Sequence, residues 1–327
     1  MDLADVYAAR QAIRDVALRS PLITAHGIGE PGSILLKLET LQPTGAFKIR
    51  GAANAVAALS AKQREAGVIC CSTGNHGRAV AYVAAKHGIA STICISNLVP
   101  ENKVKAISDL GARVVRDGRS QDDAQGNVDA IVTETGATEI PPFDYEGVIA
   151  GQATIALELL EERPDIGEIV IPVSGGGLAG GIAFAAKTIN PSIRVVGVSM
   201  ERGAAMHESL AQGRPVEVVE QPTLADSLGG GIGTANRYTF DLCRGYIDQM
   251  VLVSEAELYA AMRTLFLREK IVAEGAGAAA YAALLSGRIR SSRTTAVIVS
   301  GGNVVMEVFA RIVRGEPVAV GELMVAA

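Results

Sequence analysis

Short apolar runs alternate with helical patterns along most of this chain, and that alternation restricts the fold more than any single residue does. The stretches 34–39, 68–73, 91–96, 113–116, 168–174, 194–200 and 294–300 read as buried strands. Helical patterns fall between them at 75–87, 101–110, 121–135, 151–162, 178–189 and 254–270, the last opened by a capping box at Ser254-Glu255-Ala256-Glu257. A first helix is expected at about 6–18, ending before Pro21. Strands alternating with helices predict an α/β chain with mostly parallel sheet. At 327 residues the chain exceeds one small core, so two lobes are expected.

Composition narrows the class. With 49% hydrophobic and 20% charged residues the chain can fold without disulfides or metal. A net charge of -5, no basic block and only 4% aromatic residues give no footprint for nucleic acid. No apolar run approaches the roughly 20 residues of a membrane span, and the N-terminus carries Asp2 and Asp5 where a secretory leader carries base. A cytoplasmic location is expected. Cys70, Cys71, Cys94 and Cys243 lack metal-ligand spacing and read as reduced core thiols. The Pro- and Gly-rich clusters at 140–144 and 229–233 read as crossings between lobes or loops lining a cleft, and 212–221 as an irregular surface stretch.

Chemistry concentrates in a few loops at predicted strand ends. In Thr44-Gly45-Ala46-Phe47-Lys48-Ile49-Arg50-Gly51, a lysine meets a helix start whose positive potential favours the free amine, beside an apolar Phe47. An uncharged lysine can hold an aldehyde cofactor as an imine. Ser174-Gly175-Gly176-Gly177-Leu178 follows an apolar strand and opens a helix, so its N–H groups can converge on a phosphate. It has neither Walker nor G-x-G-x-x-G spacing. Ser72-Thr73-Gly74-Asn75-His76 offers N–H groups, the Thr73 hydroxyl and the Asn75 amide to a small anion. Ser300-Gly301-Gly302-Asn303 places a hydroxyl where a ring nitrogen could sit, and Glu274 is a lone acid among small residues. Read singly, each has a plainer explanation: a solvated lysine, a tight turn, helix caps at Asn75, Ser300 and Glu274, a structural His76. Four anion-friendly loops together with one lysine are poorly explained that way.

At these residues the chain resembles the second fold type of pyridoxal-phosphate enzymes, which includes threonine dehydratase, serine dehydratase and serine racemase. The likeness also runs through Leu36-Lys37-Leu38-Glu39 and Val148-Ile149-Ala150-Gly151-Gln152, in the family's order. It implies a two-domain α/β fold of three-layer, open twisted sheets like the tryptophan synthase β chain. Residues 1–49 with 146–327 would form the large cofactor domain, and 50–145 a small domain that closes over substrate. It further implies that Lys48 carries pyridoxal phosphate beside Phe47, Asn75 meets its 3-oxygen, and Gly175, Gly176, Gly177 and Leu178 hold its phosphate. Ser300 would bond its ring nitrogen, and Ser72, Thr73, Gly74 and His76 would surround an amino-acid substrate. The implied reaction is loss of water from a β-hydroxy-α-amino acid, giving a keto acid and ammonia, in a homodimer. Racemisation and β-replacement are the neighbouring alternatives, and a non-catalytic ligand sensor lies furthest off.

Departures refine this. Thr73 stands where serine racemase places a serine on the opposite face of the substrate, which favours elimination. The stretch 195–200, followed by Ala205, lacks the acidic residues that hold a divalent ion in the racemases, so no metal is expected. The chain ends at Ala327 without the regulatory extension of biosynthetic threonine dehydratases, so isoleucine feedback is not expected. The segments 118–125, 199–206 and 226–233 resemble the subgroup labelled hydroxyectoine-utilisation dehydratase. Intact cyclic hydroxyectoine has no free primary amine beside its carboxylate, so a ring-opened substrate is expected there.

Overall fold

Thr295–Val299, buried at every position, lies inside a six-stranded sheet because neighbours cover both of its edges. It pairs in parallel with Ile34–Leu38 on one side and Glu168–Pro172 on the other. Arg194–Met200 and Gln249–Val253 continue the parallel sheet, and Leu22–Thr24 closes the opposite edge antiparallel. A computed structural model describes the chain apart from Pro31, Thr73, Leu98, Pro100, Arg119, Ser120 and Ala327, and apart from the side chains of Asn102, Lys103, Gln121 and Asp122. The Thr73 expectation and part of the 118–125 resemblance therefore lie outside the described residues.

The strands between residues 68 and 139 form a separate parallel sheet in the order Arg113–Arg116, Ser91–Ile95, Val68–Cys71, Thr138–Glu139. Register decides where the loops go. Val299 pairs with Leu38, so the loops after both strands emerge together; in the smaller sheet Cys71 pairs with Cys94. In open parallel sheets the crevice beyond the carboxyl ends of strands is where ligands bind.

Three helices carry the site-forming starts: Lys48–Ala57, Asn75–Lys86 and Gly177–Ile189. A fourth, Glu146–Glu162, packs against the first and the third. Close approach there depends on glycine: a Cβ at Gly151 would lie 2.5 Å from the Arg50 carbonyl, and one at Gly181 would lie 2.8 Å from the Ile149 carbonyl. This explains why the expected start at 151 is late. The helix begins at Glu146 and takes in both Gly147 and Gly151.

The first helix also differs, running Leu3–Ile13 instead of 6–18, because Asp2 and Asp5 form a reciprocal capping box. The capping box at Ser254 is present, but the α-helix it opens stops at Thr264, and a π turn covers Leu265–Glu269. Lys270 then ends the run with φ 63°, a left-handed value uncommon for a side-chain-bearing residue. Residues 213–221 carry no helix or strand, as expected of an irregular stretch.

Below the Lys48 helix lies a buried ionic cluster. Arg50 donates to Glu39 Oε1 and Oε2, both at 2.8 Å, and to Glu158 Oε1 at 2.6 Å; Lys37 reaches Glu158 Oε2 at 2.6 Å. Two cations face two carboxylates, and Leu18 O, the Ser20 carbonyl and Thr154 Oγ1 accept further donors. Only such mutual pairing makes burial of four charges tolerable. The cluster ties the strand Ile34–Leu38 and the helix Glu146–Glu162 to the second residue after Lys48. No helix among the described residues is long and apolar enough to cross a membrane.

Candidate active site

Lys48 opens its helix directly after a tight loop. Gly45 sits at φ 74°, where a Cβ would lie 2.6 Å from Asn303 Oδ1, so the turn requires glycine. The loop is then stitched to the segment after the central strand: Phe47 N donates to Ser300 O at 3.0 Å, Gly302 N to Gly45 O at 2.9 Å, and Ala46 bridges Gly301. Lys48 and Ser300, 252 positions apart by subtraction, are thereby held in adjoining loops. Ser300 is buried and does not cap a helix, since the next one begins only at Met306.

Lys48 is half-buried. Nζ donates to the Pro142 carbonyl at 2.6 Å and lies 5.3 Å from the centre of the Phe47 ring. Burial pushes the amine down to about 8, with a small opposing pull from Cys70.

His76 is a neighbour of this amine. Its Nε2 meets Ile140 O at 2.7 Å, which assigns the proton to Nε2, and its buried Nδ1 has no partner among the described residues. Burial first and the Lys48 charge second push the ring down to about 3, so it stays neutral at ordinary pH. Its side chain is turned to the main chain at Ile140.

Asn75 does not cap its helix. Gly74 occupies the cap position, and the buried Asn75 amide instead donates to Glu274 Oε1 at 2.6 Å while its oxygen accepts from Asn303 Nδ2 at 2.6 Å. Asn303 also reaches Thr44 O at 2.8 Å and accepts from Arg78 Nη1 at 2.8 Å. Glu274 holds the cap position of the helix Gly275–Leu285 without a capping bond from its side chain. Ser72 Oγ accepts from Gly74 N at 3.3 Å, closing the short loop before Asn75. A cavity of about 290 Å³ opens here, walled by Gly74, Asn75, Arg78, Asp226, Glu274 and Asn303 among others.

The glycine turn lies at the start of Gly177–Ile189. Gly176 takes φ 88° at the cap position, and no side chain caps the helix. A Cβ at Gly175 would lie 2.4 Å from the Phe143 ring, and one at Gly177 would lie 3.0 Å from the Phe143 backbone. An uncapped helix start of this length attracts an anion. Because Phe143 follows Pro142, the glycine turn and Lys48 meet across one short segment.

These features fit pyridoxal phosphate. They offer an amine without a carboxylate partner among the described residues, an uncapped glycine start for a phosphate, a buried hydroxyl at a strand end, and a buried Thr44 Oγ1 with no partner. Asn75 Nδ2 has two hydrogens and uses one on Glu274. In sequence, Asn303 stands only at the end of the last glycine loop and Pro142, Phe143 and Asp144 only within a cleft-loop cluster, while Arg78 carries no local signal. The Pro-Pro-Phe-Asp run beside a lobe crossing was the signal available.

Comparison with known proteins agrees with this geometry. The model of the family described as pyridoxal-phosphate dependent enzyme matches residues 13–301. A provisionally named threonine dehydratase of Sinorhizobium fredii is 48% identical over 318 residues, 96% of either chain. The L-threonine ammonia-lyase of Thermotoga maritima is 40% identical, over 95% of this chain and 78% of that protein. Among solved structures, maize serine racemase superposes with a TM-score of 0.89 at 32% identity, covering 95% of this chain and 96% of its own.

Proposed function

Since the chain belongs to the pyridoxal-phosphate dependent enzyme family, we propose that it is a dehydratase. It takes water from a β-hydroxy-α-amino acid of the threonine or serine type and releases a keto acid and ammonia. One observation carries this reading: the Lys48 amine, lowered to about 8 by burial, donates to the Pro142 carbonyl, and the next residue, Phe143, packs on the uncapped glycine turn.

When bound, pyridoxal phosphate supplies an electron-withdrawing ring that acidifies the α-proton of an amino acid and lets a β-hydroxyl leave as water. Lys48 would hold its aldehyde carbon, with Phe47 alongside; Gly175, Gly176, Gly177 and Leu178 would hold its phosphate through their N–H groups. Asn75 would meet its 3-oxygen and Ser300 its ring nitrogen. A serine hydroxyl, unlike a carboxylate, does not keep that nitrogen protonated, which favours loss of a β-group over transamination. Lys48 Nζ, once exchanged for the substrate's own amine, would accept the α-proton, and burial, which lowers it to about 8, leaves a larger share of it unprotonated near neutral pH than an ordinary lysine has. The Pro142 carbonyl gives the resulting ammonium a partner. Ser72, Thr73 and Gly74 would receive the substrate carboxylate, with His76 contributing through its main chain. The enamino acid that departs takes up one water as it loses ammonia, which balances the water lost at the β-carbon.

Residues 50–145, which contain the smaller sheet, would close on the remainder during turnover. The buried thiols of Cys70, Cys71, Cys94 and Cys243 suit a reducing cytoplasm, and the family resemblance supports a homodimer. The likeness to the hydroxyectoine-utilisation subgroup supports a ring-opened, hydroxyectoine-derived amino acid as substrate. The likeness to maize serine racemase supports racemisation as the second reading.

The test is a panel of β-hydroxy amino acids, ring-opened hydroxyectoine included, scored for ammonia and keto acid, with chiral analysis of what remains. Keto acid with matching ammonia is expected, and none of either from Lys48→Ala. Inversion without keto acid would favour the racemase, and full turnover by Lys48→Ala would refute the scheme.

A further inference from the structure

Segment 140–144 is a strap with a separate attachment at nearly every residue. The Ile140 carbonyl meets His76 Nε2 at 2.7 Å, and the Pro142 carbonyl accepts from Lys48 Nζ at 2.6 Å. The Phe143 ring lies flush on Gly175, where even a methyl carbon would come within 2.4 Å of it. Asp144 makes the strongest attachment. Its Oδ2 accepts from Arg237 N at 2.7 Å, and its Oδ1 accepts from Tyr238 N and Thr239 N, both at 2.9 Å.

Those three N–H groups open the helix Thr239–Tyr246, whose cap residue Tyr238 makes no side-chain capping bond and whose next N–H, that of Phe240, donates to Asn236 Oδ1 at 2.9 Å. Asp144 caps it from 93 residues away, combining charge-assisted hydrogen bonds with a carboxylate at a helix's positive end. That helix is the floor of the glycine turn. A Cβ at Gly176 would lie 3.0 Å from Thr239 Cβ, and one at Gly180 would lie 2.9 Å from Leu242 Cβ. Two helix starts thus lie side by side: the protein's own carboxylate fills one, and the other is left for a ligand anion.

We propose that Asp144 is a positioning residue for the phosphate end of the cofactor. By fixing the strap to the floor helix, it sets Phe143 and Thr239 on opposite sides of the glycine turn and holds the turn's N–H groups in a phosphate-binding shape. This inference rests on the functional reading above. Substitution by asparagine removes the charge and turns one of two acceptor oxygens into a donor, so either Arg237 N or the Tyr238 and Thr239 pair loses its acceptor.

The test uses cofactor-free protein titrated with pyridoxal phosphate and, separately, with pyridoxal, which has the same aldehyde and no phosphate. The growth of the visible band reports binding. Asp144→Asn is expected to weaken pyridoxal phosphate by roughly tenfold or more, as loss of a charge-assisted contact network implies, while pyridoxal changes less than about twofold. Asp144→Glu should recover part of the loss. Phe143→Leu, which keeps the carboxylate, should show the same phosphate-selective weakening and guards against a misfolded Asp144 variant. Equal weakening of both aldehydes in the variants, or no weakening of either, would overturn the positioning role alone. Wild-type protein that forms no band with either aldehyde would overturn the functional reading as well.

Discussion

Asn75 donates to Glu274 Oε1 at 2.6 Å across 199 positions of chain, so the start of one helix in the smaller-sheet region is fixed to the cap position of another beside the larger sheet. This bond orients the amide that the proposed chemistry assigns to the cofactor's 3-oxygen, and Asn303 holds the other end of the same amide.

Removing the acceptor should therefore cost more than truncation alone. Glu274→Ala leaves a buried amide donor without its acceptor, a loss of about 1–3 kcal/mol in denaturant unfolding. Cofactor affinity should fall with it. Glu274→Gln, which can still present an oxygen to Asn75, is expected to retain most stability. Equal unfolding midpoints for Glu274→Ala and the parent would contradict the assignment.

The Lys48 amine should titrate far below an ordinary lysine. In cofactor-free protein, acylation of Lys48 followed by mass spectrometry should show reactivity rising with pH through a midpoint near 8, because burial penalises the ammonium and the free amine is the reactive form. A Lys48 midpoint above 10 would remove the basis for its role.

Glycines separate by environment. Gly175→Ala drives a methyl into the Phe143 ring at 2.4 Å and should displace the ring from the turn, lowering affinity for pyridoxal phosphate. Gly126→Ala, in the helix Gln121–Thr135 with nothing within 4 Å, should instead stabilise the protein by about 0.5–1 kcal/mol. Isothermal titration of the first and melting of the second would check the pair.

The buried ionic cluster should govern the acid limb of stability. Burial alone would raise Glu158, but the Arg50 and Lys37 charges outweigh it, and the carboxyl ends below its usual range. Its contribution is therefore complete above about pH 4.5 and is lost as pH falls through the lowered value. Glu158→Gln should flatten this limb in urea unfolding measured from pH 7 downward. Arg50→Ala, which leaves the buried Glu39 carboxylate without its cation and Glu158 with Lys37 alone, should cost about 3–5 kcal/mol at neutral pH; a loss under about 1 kcal/mol, the range of exposed pairs, would mean the cluster is solvated.

Much of this protein is legible one residue at a time. The alternation of apolar and helical stretches determined an α/β chain with parallel sheet, since buried parallel strands and their crossover helices leave distinct periodicities in sequence. Lysine, triple glycine and the terminal serine announced themselves because each interrupts that rhythm just past a strand. The helix starts at Leu3 and Glu146 were harder, because an Asp–Asp cap looks like mere acidity and packing glycines look like breakers. Only the tertiary structure could decide that Asn75 serves Glu274 instead of its own helix, that Ser300 caps nothing, and that the His76 imidazole turns to Ile140. It alone brought Pro142, Phe143 and Asp144 against Lys48, the glycine turn and a distant helix. Those are contacts between residues tens to hundreds of positions apart, set by strand register and helix packing, and no local pattern in a chain encodes which far segment will supply a donor or an acceptor.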